Sequence, residues 1–266
     1  EFPEHRVTLL HVIDPFDASY MEYLEGDVTY PSSEASGHLV EAATELLDGY
    51  VDRAEGDGVN ANAVHRFGDP ARTIVEYVDE HDVDHVVLGS HGRTGLSRVL
   101  LGSVAEKVVR RAPAPVTVVR GEFETGVKNV LVPMDESRQA ERALDHALAW
   151  YPDAAVTLLN VFSRGPPEAH LDRSGKDYDD LRARRRGWLE QVAAERDQGG
   201  EIETEVVVGD PSREIDEYAV DQDVDHVVVG SHGRDRFARI LLGSVAETVV
   251  RRAPVPVTVV RERPSD

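Results

Sequence analysis

A chain that repeats itself at a fixed interval must fold as copies of one unit, and this sequence does so. GDPARTIVEYVDEHDVDHVVLGSHGR at 68–93 returns as GDPSREIDEYAVDQDVDHVVVGSHGR at 209–234, a displacement of 141 residues. LLGSVAE at 100–106 returns at 241–247, and RRAPAPVTVVR at 110–120 returns as RRAPVPVTVVR at 251–261, at the same displacement. Closer to the start, RVTLLHV (6–12) matches AVTLLNV (155–161) at a displacement of 149, so the first copy has a longer connection after that strand. Two domains are therefore expected, at 1–121 and 127–266, joined near GEFETG (121–126).

Within the second copy, short apolar runs rich in β-branched residues alternate with helix-period stretches. The runs are 128–134, 154–162, 201–209, 225–231 and 255–261; the helical stretches are roughly 137–149, 172–197, 212–221 and 243–252. Such alternation predicts an α/β fold, a doubly wound parallel sheet with helices on both faces. Asp210-Pro211 reads as an N-cap followed by proline at the first helical position. Ser244-Val245-Ala246-Glu247 and Ser103-Val104-Ala105-Glu106 have capping-box spacing. The first copy has no counterpart of 127–149, a whole strand and helix.

The stretch after the fourth strand carries the chemistry. GSHGRDRFARILLGS (230–244) and GSHGRTGLSRVLLGS (89–103) each place glycine, two residues, glycine, nine residues, then Gly-Ser at a helix start. Glycines let backbone approach a ligand, and a helix N-terminus with its free N–H groups suits a phosphate. Arg234 adds a charge-assisted donor. The glycines do not follow the first strand, as a dinucleotide fingerprint requires, and no GxxxxGK[ST] occurs. An inherited turn with a helix cap is the plain alternative for a loop of this kind.

With this motif in both halves, the sequence resembles the universal stress protein family, in its ATP-binding branch. The resemblance covers the second half and most of the first. It implies a five-stranded sheet ordered 3-2-1-4-5, with ATP held between the first-strand end and the glycine loop. Carried onto this chain, Asp135 contacts the adenosine moiety, Pro133, Met134 and Val161 flank the base, and Gly230 approaches the ribose. Gly233, Arg234, Gly243 and Ser244 hold the phosphates. The matching partial set in the first copy is Val12, Gly89, Gly92, Arg93, Gly102 and Ser103, with His11 in place of Asn160 and no aspartate to assign. A Mg²⁺ or Mn²⁺ ion would come only through ATP. The family reading makes the chain a stress-response regulator, with a ligand-independent interaction module or a slow ATPase as alternatives.

No catalytic residue is assigned, because no general base or nucleophile stands out near the loop. The eleven histidines include no HExxH, and no dedicated metal site is expected. His91 and His232 read as loop packing, His85 and His226 as structural. RARRRGW (182–188) reads as a helical face paired with the acids of DYDD (177–180), not as a nucleic-acid surface. The apolar edges 115–120 and 256–261 are expected to meet in an internal pseudo-dimer, and a homodimer is a further possibility of the fold. Because the first strand is central in the order 3-2-1-4-5, its loss would bury unpaired backbone groups at about 1–3 kcal/mol each. The expectation is that the natural product extends upstream by roughly 25–40 residues, judged from domain-size regularity. A strand swapped in from a partner, or direct closure between strands two and four, are the alternatives. On any of these, the first copy should bind ATP poorly.

Charge narrows the partners. Fifty acidic residues against 29 basic give a net charge of −21, which repels phosphate backbones and argues against nucleic acid. No run approaches the roughly 18 apolar residues of a membrane span. The opening Glu1-Phe2-Pro3-Glu4-His5 has neither the basic end nor the apolar core of a signal peptide, so a cytoplasmic chain is expected. There is no cysteine, hence no thiolate chemistry. Only Lys107, Lys128 and Lys176 are lysines among 29 basic residues, and acid excess with scarce lysine suits a halophilic source. Molar salt cuts the Debye length to about 3 Å and silences self-repulsion. The melting temperature should therefore rise by roughly 5 °C or more, about 2 kcal/mol for a chain of this size, between dilute buffer and molar salt. A melting temperature that does not move in differential scanning calorimetry would count against this reading.

Overall fold

The computed structural model describes residues 6–14, 33–91, 101–120, 126–163, 176–196, 202–232 and 242–261. The chain divides into two compact units, Glu1–His81 and Asp82–Asp266.

The first unit contains β1 (Arg6–Ile13), α1 (Ser33–Gly56), β2 (Asn60–Phe67) and α2 (Pro70–Glu80). β1 and β2 pair in parallel over their whole length, from Arg6 opposite Asn60 to Ile13 opposite Phe67. A parallel pair needs a crossover, and α1 supplies it. Ile13, Ala43, Leu47, Ala71 and Val78 are its buried apolar side chains. Asp69 caps α2 by accepting from the Arg72 amide at 2.8 Å, with Pro70 in the first turn. Gly68 has φ +142°, and a Cβ there would lie 2.7 Å from Thr73 Oγ1, so glycine is required before this cap.

The second unit contains β3 (Val86–Gly89), α3 (Ser103–Arg111), β4 (Val116–Val119), β5 (Asn129–Pro133), α4 (Arg138–Trp150) and β6 (Ala155–Phe162). It continues through α5 (Lys176–Glu195), β7 (Ile202–Val208), α6 (Pro211–Asp221), β8 (His226–Gly230), α7 (Ser244–Arg252) and β9 (Val257–Val260). Its seven-stranded sheet runs β3-β4-β9-β8-β5-β6-β7. The second copy's strands one to five are β5, β6, β7, β8 and β9, which reads 3-2-1-4-5 across the sheet, as expected. All pairs are parallel except β4 with β9. Parallel strands buried on both faces must be apolar throughout, and Leu131, Val132, Leu158, Leu159, Val227 and Val228 are fully buried. Ala143, Leu144 and Ala147 of α4 and Leu189 of α5 share one core with Val132, Leu158 and Val228.

Repeat and unit therefore divide the chain differently: β3 and β4 are the last two strands of the first copy yet belong to the second unit's sheet. Within the first unit β1 pairs with β2 in a sheet of its own, and within the second β3 pairs with β4. The capping boxes are also corrected. Gly102 and Gly243 are the N-caps, so Ser103 and Ser244 are first helical residues and the cap residue itself supplies no side-chain bond to either helix. Glu106 and Glu247 instead face Arg110 and Arg251 in a four-membered ring of ion pairs.

That ring marks a pseudo-twofold axis, since each member is matched by the residue 141 positions away. The axis passes through the β4–β9 pair, where Thr117 lies opposite its own counterpart Thr258. Their hydroxyls are 2.6 Å apart, with His85 Nε2 2.7 Å from Thr117 Oγ1 and His226 Nε2 2.7 Å from Thr258 Oγ1. His146 and Trp150 of α4 stack against His85, and Tyr151 packs against His226. Burial lowers the imidazoles, His85 to about 3 and His146 and His226 to about 4, with mutual repulsion adding to the shift at His85 and His226. Asp225 opposes the shift at His226.

The sign follows directly. The unfolded chain takes up these protons near pH 6.5 and the folded chain only below about 4, so their contribution is full above pH 6.5 and lost as pH falls. Asp216, pushed up to about 6 by burial, works in the opposite direction with one proton against three. Urea midpoints should therefore fall steadily from pH 7 to pH 4.5, and replacing all three histidines by glutamine should flatten the curve. An equal slope in both proteins would refute this account.

Candidate functional site

A cleft of about 330 Å³ opens at the carboxyl ends of β5, β6 and β8, where ligands of doubly wound sheets bind. Three helix N-termini reach it: Ser137 and Ala140 begin α4, Pro211 begins α6, and Ser244, Val245 and Ala246 begin α7. Their first turns differ in what is already satisfied. Ser137 Oγ accepts from the Ala140 amide at 3.2 Å. Asp210 accepts from the Arg213 amide at 3.1 Å, and Ser212 Oγ donates to it, which holds its carboxyl below the usual range. α7 has only glycine at its cap. Helix geometry gives the amides of Ser244, Val245 and Ala246 no acceptor within the helix, and those three residues line the cleft. The positive end of the α7 dipole thus meets the cleft without a side-chain cap.

The apolar part of the lining is formed by Met134, Leu159, Val161, Pro211 and Ile215. Asp135 lines the same cleft from the bend that leaves β5. Its Oδ1 accepts from the Ser137 amide at 3.1 Å, and Glu136 beside it takes a left-handed φ of +66°, uncommon for a side chain of its size. An apolar wall, a carboxylate and a helix N-terminus therefore share one cavity.

Of the expected residues, Pro133, Met134, Asp135, Val161, Gly230, Gly243 and Ser244 all line this cleft. Gly233 and Arg234 lie outside the described residues, as do Gly92 and Arg93 in the first copy. Val12 belongs to β1 of the first unit, while Gly89, Gly102 and Ser103 belong to the second. Gly230 lines the cleft, but packing explains its missing side chain: a Cβ would lie 2.7 Å from the Gln139 carbonyl carbon and 2.9 Å from the Ala140 nitrogen. At Gly89 the nearest contact would be the His91 carbonyl oxygen at 3.4 Å. Sequence reasoning did not assign Ser137, Leu159, Pro211 or Ile215 to the site. The Asp210-Pro211 signature was legible, but nothing local shows that α6 begins beside the first strand. His232 also lines the cleft, with Ser231 Oγ 3.0 Å from its Nδ1; burial is the main cause of its lowered pKa, with Arg261 adding to it.

Basic residues of α5 depart from the helical pairing expected of 182–188. Arg186 reaches Glu205 on β7 at 3.3 Å, and Arg185 reaches Asn160 on β6 at 3.0 Å.

The model of the universal stress protein family matches residues 3–120 and 126–261. Universal stress protein Rv2005c of Mycobacterium tuberculosis is 32% identical over 270 residues, spanning 96% of this chain and 87% of that protein. Universal stress protein MJ0577 of Methanocaldococcus jannaschii is 34% identical over 157 residues, 52% of this chain and 97% of that one. Among solved structures, a universal stress protein from Archaeoglobus fulgidus superposes with a TM-score of 0.70 at 25% identity, covering 97% of this chain and 88% of that one.

The two glycines make a paired test of the cleft floor. Gly230→Ala should lower stability by about 1–3 kcal/mol, the usual cost of overpacking, because backbone atoms of α4 must move. Gly89→Ala should cost less than half as much. Urea unfolding would check both, and equal losses would overturn the packing explanation.

Proposed function

The chain belongs to the universal stress protein family, and from that premise we propose that its second repeat binds ATP as a regulatory ligand. The observation that carries this reading is the set of groups that share the cleft: an apolar wall, the Asp135 carboxylate, and the amides of Ser244, Val245 and Ala246. A purine needs the first, ribose hydroxyls need an acceptor such as the second, and phosphates need the third. Three neighbouring first-turn amides at one cleft end are poorly suited to a neutral ligand. Gly243 and Ser244, the residues expected to hold the phosphates, line the same cleft. Gly233 and Arg234 remain part of the proposal as further phosphate contacts. A Mg²⁺ or Mn²⁺ ion would enter with the nucleotide, bound through its phosphate oxygens.

A regulatory rather than catalytic role is the better reading because, among the described residues of the cleft, His232 and Asp135 are both engaged by their neighbours: Ser231 Oγ lies 3.0 Å from His232 Nδ1. Asp135 is tied to the turn that starts α4 through the Ser137 amide. Hydrolysis should accordingly be slower than the roughly 1 s⁻¹ at the low end of ordinary enzymes.

Calorimetry tests the site. ATP should bind at about one nucleotide per chain, and Asp135→Ala should weaken it by at least tenfold, about 1.4 kcal/mol. Unchanged affinity in that variant, or no nucleotide bound by the wild-type protein, would favour a ligand-independent interaction module.

A further inference from the structure

The wall that flanks the base end of the cleft is held from behind. Met134 is clamped at both of its backbone polar groups: its N–H donates to the Leu159 carbonyl at 2.8 Å, and its carbonyl accepts from Asn160 Nδ2 at 2.6 Å. The first is a continuation of the β5–β6 ladder. The second is a side-chain bond from a residue that is only 1% exposed. Asn160 is in turn oriented by Arg185, whose Nη1 donates to Asn160 Oδ1 at 3.0 Å. The guanidinium lies over the Phe162 ring, 5.2 Å from its centroid, which fixes the plane from which it donates. With Oδ1 accepting from Arg185, only the amide nitrogen of Asn160 can face Met134, so the orientation of the side chain is settled by its partners.

Asp135, Asn160, Val161, Phe162 and Arg185 together line a recess of about 250 Å³ beside the cleft. Neither Asn160 nor Arg185 lines the cleft itself. Beyond Met134 the chain bends into α4 through Glu136, which sits in an unfavourable left-handed conformation. A strained bend keeps its shape only when its ends are held. The Ser137 cap holds one end, and the clamp on Met134 holds the other.

We propose that Asn160 and Arg185 are positioning residues for nucleotide recognition, setting the Met134–Asp135 segment against adenosine without touching the ligand. This rests on the ATP reading above and adds two residues to it. Their influence falls on one end of the ligand. The Met134 carbonyl and the Asp135 carboxylate face base and ribose, whereas the amides at the start of α7 are on a different helix. The first repeat carries His11 at the position of Asn160.

The test compares ATP, adenosine and inorganic tripolyphosphate by calorimetry on the full chain. Asn160→Leu and Arg185→Met should each weaken ATP and adenosine by the same factor, about tenfold for Asn160→Leu and about threefold for Arg185→Met, and leave tripolyphosphate unchanged. Arg185→Lys, which keeps a donor for Asn160 Oδ1, should recover most of the loss. A general structural defect would instead lower all three ligands together, and that result overturns the proposal. Should Asn160→Leu fail to fold, the Arg185 pair decides alone: ATP affinity within 1.5-fold of wild type in Arg185→Met overturns it. Wild-type protein that binds neither ATP nor adenosine would overturn the functional reading as well, which separates the two failures.

Discussion

The antiparallel pairing of β4 with β9 is the contact on which the larger unit depends. Each is only a four-residue strand, and each would otherwise present an apolar edge to solvent. Joined, they make two half-sheets of opposite direction into one seven-stranded sheet. The hydrogen bonds of two short strands are modest, and side chains around them complete the join. The Glu106–Arg110–Glu247–Arg251 ring spans α3 and α7 on one side, and Arg120 Nη2 donates to the Val250 and Arg251 carbonyls at 2.7 and 2.6 Å. The latter places a cation at the negative end of α7, opposite to the end that faces the cleft. Contacts made to join the repeats thus also secure the helix whose other terminus is offered to phosphate.

The cleft owes its polarity to unequal treatment of like parts. Three helices begin there, and the residue before each decides its role. A serine closes α4, an aspartate closes α6 and adds negative charge, and a glycine leaves α7 to external acceptors. Had Gly243 been a serine, its hydroxyl would compete with a ligand for the same amides. Close approach has a second use at Gly230, where the absent side chain admits α4 and brings Asp135 and Ser137 into range of the α7 terminus.

Much of this was legible in the residues. Period and length gave the alternating strands and helices of the second copy, and the repeat gave the axis, because two copies with apolar terminal strands have few ways to cover them. The proline after Asp210 marked the start of α6, as the structure bears out. The capping boxes failed for a reason that spacing cannot reveal. A glycine one residue earlier took the cap, and the glutamates were drawn across the axis by arginines of the other copy. The basic run on α5 misled in the same way, because its partners Asn160 and Glu205 lie on strands distant in sequence. Local pattern identifies elements; partners brought together by the sheet decide what their polar side chains do. The division into units at His81 was equally beyond reach, since it follows from which strands share a sheet rather than from where the repeat ends.

A residue on the axis meets its own counterpart, and this ties positions far apart in the chain into one set. Between His85, Thr117, Thr258 and His226 there are three contacts, and each needs one proton. The two hydroxyls supply two, so one imidazole must donate from Nε2 while the other accepts there. Two copies of one residue, related by the axis, are thereby obliged to be chemically different, one of each tautomer. Removing a single hydroxyl would strand a buried group on either side of the axis, whereas a coordinated change at all four positions could retire the whole set. Residues 85, 117, 226 and 258 therefore share a common fate: what either repeat tolerates at these sites is decided by the other.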